Sequence, residues 1–564
     1  MSSTTGSQVS VPQVSGDLIS LTIDGRAVTA AKGTNLIEAA ASIGVEIPHY
    51  CYHKNLSIAG NCRMCQVEVV GGAKLEIACN CAVREGMVVK TQATSQIVAD
   101  AQSATLEFIL INHPLDCTVC DQAGHCKLQD YHFEYNAKES RFLENKEHKI
   151  KALPLGPHVM LDGERCILCT RCVRFTDEIT KTHELGVLHR GDRAVITTAE
   201  GKELNNPLSG TVVDLCPVGA LTHRDWRFNS RIWFSKQTDT ICPGCSTGCN
   251  VKIAVRDGEV VQVKARDNQA VNKEWMCDEG RYGMERFLPK ERVLSNFKLG
   301  STTSPTIDAV VAEVAKAKNS SIAVFVSPFL LTEEMVLLKA LIAKHFRGAQ
   351  VAVGYRERKL SSLEQILIAP NYAPNIRGAV FAGLAQGSMA QMQAAEKEYD
   401  ELLAKVRGGG FNGVMIFGDR AVEQKDLDPA FLKAVGQAQL SFAVLSDADS
   451  ALSAVCGLIL AGRSILEKSG ILINRDDIAQ WNERSIEPPP GTVPEWQVIN
   501  KIALACGAAL HTANTERELA MSLLAADSRF AGQKLMALKN TGIKLSSVST
   551  AAIGTAENGE LRGV

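Results

Sequence analysis

HPLDCTVCDQAGHC, residues 113–126, sets one histidine and three cysteines at the spacing H-x3-C-x2-C-x5-C. Thiols and an imidazole grouped this tightly are the donors of an iron–sulfur cluster or of zinc. Pro114 disfavours helical backbone at His113 and sends it into an extended exit from the preceding segment. That frees the imidazole to turn toward Cys117, Cys120 and Cys126, and the spacing is read as one iron–sulfur site with four ligands. His125, beside Cys126, is the rival nitrogen ligand. Replacing a thiolate by a neutral imidazole removes one negative charge, and cluster charge is one determinant of reduction potential. The expected direction is upward.

Working outward, a helix is predicted from about Ser95 to Asn112, because Ile97, Ala101, Ala104, Phe108 and Ile111 recur at helical spacing. That stripe is read as core. Further upstream, Leu18–Ile23 alternates as a strand and Asp24-Gly25 turns into Arg26-Ala27-Val28 as a hairpin. Asn35 with Glu38 opens a helix that Gly44 stops. Cys51-x10-Cys62-x2-Cys65-x13-Cys79 follows. Hairpin, helix and cysteine-bearing loop predict an α+β, ferredoxin-like domain with a [2Fe–2S] cluster. The plant-type pattern is C-x4-C-x2-C…C, so the first gap here is longer. Cys81 competes with Cys79 as fourth ligand, and zinc competes as the occupant.

Downstream lies Cys166-x2-Cys169-x2-Cys172 and, after 43 residues, Cys216-Pro217. Three close cysteines with a distant Cys-Pro form the bacterial ferredoxin arrangement for [4Fe–4S]. Arg165, Arg171 and Arg174 either offset the anionic cluster or form a solvated basic face. Cys242-x2-Cys245-x3-Cys249 and Cys277 make the fourth set, in which Pro243, Gly244 and Gly248 build a tight loop. It reads as a further [4Fe–4S] site, with a zinc ribbon as competitor.

The chain has 564 residues and 18 cysteines, sixteen of them between Cys51 and Cys277. Cysteines so placed in a long chain point to metal binding or redox chemistry rather than to a disulfide scaffold. Sixty basic residues against 62 acidic ones give no reason to expect nucleic acid. Residues 1–16, rich in Ser, Thr and Gly, read as a disordered lead-in and not as a signal peptide. No apolar run approaches the roughly 20 residues that span a bilayer, so membrane association is expected only through a partner.

Past about Phe287 the cysteines thin out to Cys456 and Cys506, read as buried small residues. Apolar runs at Ile322–Val326, Val351–Val353, Val414–Phe417 and Phe442–Leu445 alternate with helical stretches, which predicts an α/β domain with a mostly parallel sheet. Thr332-Glu333-Glu334 opens one helix with acid at its N-terminus. Gly408–Gly410 and Pro488–Gly491 read as loops. There is no GxGxxG after a strand and no GxxxxGK[ST], and no catalytic constellation.

NHPLDCTVCDQAGHCKLQD, ERCILCTRCVRF, DLCPVGALT, and ICPGCSTGCN with EWMCDEGRYG, in this order, resemble the large iron–sulfur subunit (75-kDa type, the G subunit in bacteria) of the respiratory NADH:quinone oxidoreductase, complex I. The resemblance covers residues 18 to 290. It implies a [2Fe–2S] cluster on Cys51, Cys62, Cys65 and Cys79. It implies [4Fe–4S] clusters on His113, Cys117, Cys120 and Cys126, on Cys166, Cys169, Cys172 and Cys216, and on Cys242, Cys245, Cys249 and Cys277. The last is found only in some bacterial members, off the main electron path.

The implied domains are 17–95, 96–136, 137–234 and 235–291, each with its cluster, and 292–564. EKSGILIN and PPPGTVPEW mark that last domain as similar to a molybdopterin oxidoreductase domain, shortened and without its cofactor. Neither molybdopterin, flavin nor NAD is expected on this chain, and it should have no substrate site of its own. The implied partners are a flavin subunit that oxidises NADH and the quinone-side iron–sulfur subunits. Electrons would pass from the [2Fe–2S] cluster to the His-ligated and the all-cysteine [4Fe–4S] clusters. The membrane arm is reached indirectly, from the cytoplasmic side of the bacterial inner membrane. The electron-transfer subunit of an NAD-linked hydrogenase or formate dehydrogenase, which shares the first three motifs, is the alternative, and a zinc-stabilised scaffold without redox function is a second.

Overall fold

The computed structural model describes residues 17–387, 392–530 and 532–545. The N-terminal lead-in, residues 1–16, lies outside the described residues. The chain forms two compact units. One runs to Asn205 and takes in Val212–Ile232; the other combines Asn206–Thr211 with the chain from Trp233 onward.

The first unit opens with the hairpin Leu18–Ile23 and Arg26–Ala31, in register from Leu18↔Ala31 to Ile23↔Arg26. Asp24 and Gly25 both take positive φ, 46° and 77°, as a two-residue turn with the strands' own twist requires. Leu18–Ile23 also pairs in parallel with Val88–Lys90, which pairs antiparallel with Gln66–Val69, and Glu76–Ile77 closes a five-stranded sheet. Helix Leu36–Ala41 buries Leu36, Ile37, Ala39 and Ala40 against this sheet. Asn35 caps it by accepting from the Glu38 N–H at 3.0 Å. The Glu38 carboxylate accepts from the Tyr52 hydroxyl at 2.8 Å, so the cap also orients the loop that begins at Cys51.

Helix Gln96–Leu110 forms as expected, but its buried face is Val98, Gln102 and Leu106. Ile97 and Phe108, read from the sequence as core, are 66% and 76% exposed. The helix carries two apolar stripes. Gln102 decides which one is buried, because its amide donates to the Gln66 carbonyl at 3.0 Å. A second helix, Lys127–Tyr135, starts directly after Cys126 and buries Leu128 and Tyr131. A small sheet of Leu221–His223, Val159–Leu161 and Leu153–Pro154 backs the remaining cysteines of this unit.

The second unit begins with three antiparallel strands, Lys236–Ile241, Asn250–Arg256 and Glu259–Ala265. An α/β sheet follows. Its parallel strands lie in the order Gln350–Val353, Ile322–Val326, Gly413–Phe417, Leu440–Leu445 and Leu458–Ala461, with Phe297–Lys298 antiparallel at the edge. The continuous apolar runs seen in the sequence are these strands, buried on both faces. Helix Thr332–His345 forms where expected, yet Glu333 and Glu334 in its first turn are buried. Lys468 meets Glu495 at 2.8 Å and Glu334 at 3.1 Å. EKSGILIN and PPPGTVPEW therefore meet in a buried charge cluster. Cys456 is fully buried, while Cys506 is half-buried at the end of helix Glu495–Cys506.

Candidate iron–sulfur cluster sites

The Cys51 set is held by the N-terminal sheet. The Cys51 N–H points at the Cys62 sulfur at 3.5 Å, and the Ala78 N–H donates to the Cys65 carbonyl at 2.8 Å, which brings the Cys79 turn onto Cys65. The thiols pair as Cys51 with Cys62 and Cys65 with Cys79. Each pair shares a hydrogen bond that holds one thiol down, Cys51 to about 5 and Cys79 below its usual value, and pushes the other up. Cys81 has no such partner. Burial raises its thiol, and its charged neighbours are Arg84 and Glu76.

Three cavities are each lined by one of the remaining sets. His113, Cys117, Cys120 and Cys126 line the first, with Asp116, Arg165 and Gly219; His125 is not among them. The helix before His113 has ended at Leu110, and the short turn Cys117–Val119 and the start of helix Lys127–Tyr135 present the sulfurs. Burial, with the Arg165 and Lys146 cations nearby, holds the His113 imidazole down to about 4. It is neutral at physiological pH, the state in which histidine binds a metal. Burial pushes the Cys126 thiol up to about 11.

Cys166, Cys169, Cys172 and Cys216 line the second cavity, whose other walls include Leu161, Ile196, Val218 and Leu221. Left-handed backbone at Leu168 and Thr170, φ 54° and 60°, curls the loop so that all three of its cysteines face inward. Burial pushes Cys166 to about 11, Cys216 to about 12 and Cys172 well above the usual range.

Cys242, Cys245, Cys249 and Cys277 line the third, in the second unit. The Cys242 N–H donates to the Cys249 carbonyl at 2.8 Å and closes the loop. A methyl group on Gly280 would stand 3.1 Å from the Cys242 sulfur and 3.3 Å from that of Cys277. Burial pushes Cys249 and Cys277 well up.

The donor sets fit iron–sulfur clusters. Three are four cysteines and one is three cysteines with an imidazole, and buried thiols that resist ionisation on their own ionise when a cation compensates them, with proton release coupled to metal binding. Among the described residues no group of three or more His, Cys, Asp and Glu side chains is set to hold a single metal ion.

In the first unit the three sets are contiguous, and the Cys166 set shares backbone contacts with both others. Cys216 lines one cavity while Gly219, three residues on, lines the His113 cavity, and the Cys126 sulfur lies 4.0 Å from the Pro217 carbonyl. On the other side, Asn61 donates to the Leu168 carbonyl at 3.2 Å. The Cys166 set thus adjoins both the Cys51 and the His113 sets. Arg165 and Arg171 are buried and Arg174 is half-buried, so they form no solvated face. Sequence reasoning missed Gly219 and Arg231, which donates to the carbonyls of Cys120 and Thr118. A glycine three residues past Cys216 was the only available signal.

Family models place the same chemistry on the same stretches. Residues 16–94 match a 2Fe-2S iron-sulfur cluster binding domain, and 235–288 a molybdopterin oxidoreductase Fe4S4 domain. Residues 102–141 match the NADH-ubiquinone oxidoreductase-G iron-sulfur binding region, and 156–222 the ferredoxin-like domain of NADH-quinone oxidoreductase subunit 3. Over part of its length the chain is similar to the G subunit of NADH-quinone oxidoreductase. The G subunit of Rickettsia bellii is 37% identical over 332 residues, 58% of this chain and 48% of its own length. That of Streptomyces coelicolor is 41% identical over 277 residues, 49% of this chain and 33% of its own length. The mitochondrial NADH-ubiquinone oxidoreductase 78 kDa subunit of Neurospora crassa is 43% identical over 301 residues, 53% of this chain and 40% of its own. The chain spans about half the length of the Rickettsia relative, and less of the other two.

Proposed function

We propose that the chain is an iron–sulfur electron-transfer subunit of the peripheral arm of an NADH:quinone oxidoreductase. Cys51, Cys62, Cys65 and Cys79 would hold a [2Fe–2S] cluster. His113, Cys117, Cys120 and Cys126 would hold a [4Fe–4S] cluster, as would Cys166, Cys169, Cys172 and Cys216, and Cys242, Cys245, Cys249 and Cys277. The observation that carries this reading is the contiguity of three ligand sets in one unit, with Cys216 to Gly219 serving two of them.

Bound there, the clusters would take up and release single electrons. The chain's own residues fix the donors, exclude water with Leu161, Ile196 and Leu221, and keep the His113 imidazole neutral. In this role the chain stands between a flavin subunit that oxidises NADH and the quinone-side iron–sulfur subunits. The N-terminal sheet and helix read as ferredoxin-like. The α/β part reads as a molybdopterin-oxidoreductase-like domain without its cofactor. Among the described residues no helix is long and apolar enough to cross a membrane, and we place the chain on the cytoplasmic side of a bacterial inner membrane, held through the complex.

The test is anaerobic purification, an iron and acid-labile sulfide count, and EPR spectra during stepwise reduction. The ligand sets require about 14 irons per chain. Zinc in place of iron would refute the proposal.

A further inference from the structure

Arg171 is a buried cation without a buried anion. It is 7% exposed. Its guanidinium donates to the Leu215 carbonyl at 3.3 Å and to the Tyr52 carbonyl, and its Nε is buried with no partner. Among the described residues no carboxylate ion-pairs with it. The negative charges it would feel are thiolates, those of Cys169 and Cys216 on one side and of Cys51 on the other. A guanidinium this deep is costly unless an anion compensates it, and a cluster held by four thiolates is anionic.

Arg174 lies one turn further along helix Arg171–Glu178, on the same face. One of its nitrogens, Nη2, reaches a ligand cysteine of each set: the Cys51 carbonyl at 2.5 Å and the Cys169 carbonyl at 3.3 Å. Nη1 donates to the Ser57 carbonyl, and Ser57 in turn donates to Glu178 on the same helix. Both arginines therefore span the same gap.

We propose that Arg171 and Arg174 are positioning residues shared by the Cys51 and Cys166 sets. Arg174 fixes the spacing of the two ligand loops, and Arg171 supplies one counter-charge to both clusters. The inference rests on the reading that these sets hold clusters. Its consequence is that two potentials are tied to one side chain. A cation between the clusters stabilises the more negative, reduced state of each, so its loss moves both potentials negative together.

The experiment is an EPR-monitored redox titration of the full chain, after its iron and sulfide have been counted. Arg171→Met is expected to make reduction at least tenfold less favourable at both the [2Fe–2S] and the Cys166-set signals, about 59 mV per electron. The Cys242-set signal serves as the internal control and stays in place. Clusters retained with neither potential moved, or only one, would overturn the inference. An unmodified chain without iron would instead refute the cluster reading beneath it. Should Arg171→Met not retain iron, Arg171→Lys decides. It keeps the charge and loses the fork, so both potentials should stay within less than a tenfold change, and a full tenfold negative shift would overturn the counter-charge. Arg174→Met should weaken the magnetic interaction between the two reduced clusters; an unchanged interaction would overturn its spacing role.

Discussion

A methyl group on the Cα of Gly219 would stand 2.1 Å from the Cys120 sulfur. No real Cβ contact is that short, so the backbone between Cys216 and Gly219, or the loop carrying Cys120, would have to move. That backbone also carries Cys216, which lines the neighbouring cavity. Gly219→Ala is therefore expected to cost the His113 cluster, a loss of about 4 of roughly 14 irons. Iron analysis with EPR of the variant checks this; a full complement with unaltered signals would show that the loops yield freely.

His113→Cys changes the proposed imidazole ligand to a thiolate while leaving a four-donor site. A thiolate adds a negative charge, which disfavours reduction, so the variant should keep its cluster at a more negative potential. Redox titration followed by EPR gives the answer. An unmoved potential would mean that His113 is not a ligand.

The grouping of the sixteen candidate ligands was legible because cysteine is scarce elsewhere and its spacing is local. The parallel strands were legible too: the runs Ile322–Val326 and Phe442–Leu445 are apolar throughout because both faces of their sheet are covered. What was not legible depends on contacts distant in sequence. Helix Gln96–Leu110 has two apolar stripes, and only the Gln102 bond to Gln66 shows which one faces inward. Glu333 and Glu334 read as helix-terminal acids, yet Glu334 pairs with a lysine 134 positions away. Arg171 reaches a carbonyl 119 positions upstream. No local pattern encodes such pairs, and they decide how the ligand sets are ordered in space.

Cys79 and Cys81 are separable by substitution. Cys79 hydrogen-bonds Cys65, whereas the groups that act on the Cys81 thiol are Arg84 and Glu76 and no other thiol. Cys81→Ser should leave the [2Fe–2S] EPR signal in place, and Cys79→Ser should abolish or strongly alter it. The reverse result would assign the fourth ligand to Cys81.

The charge cluster of the second unit makes a prediction about pH. Burial raises Glu333 to about 8, and burial opposed by the Lys468 charge leaves Glu495 at about 7. Both groups bind a proton more tightly folded than unfolded. Their stabilisation is complete below the unfolded carboxylate value near 4.5 and is lost progressively as pH rises through about 7 to 8. Thermal unfolding of this unit, followed by the buried Trp481 and Trp496, should shift to lower temperature between pH 5 and pH 9, and Glu333→Gln should flatten part of that dependence. An equally steep profile in Glu333→Gln would exclude this carboxyl as a source. Lys468→Met tests the same cluster from the other side. It leaves Glu334 and Glu495 buried without their cation and should cost about 3–5 kcal/mol, read as a lowered denaturation midpoint at neutral pH. The loss should shrink at pH 5, where protonation of Glu495, raised by burial to about 7, relieves its repulsion with Glu334. A loss independent of pH would mean that packing around the lysine stem, and not its charge, holds the cluster together.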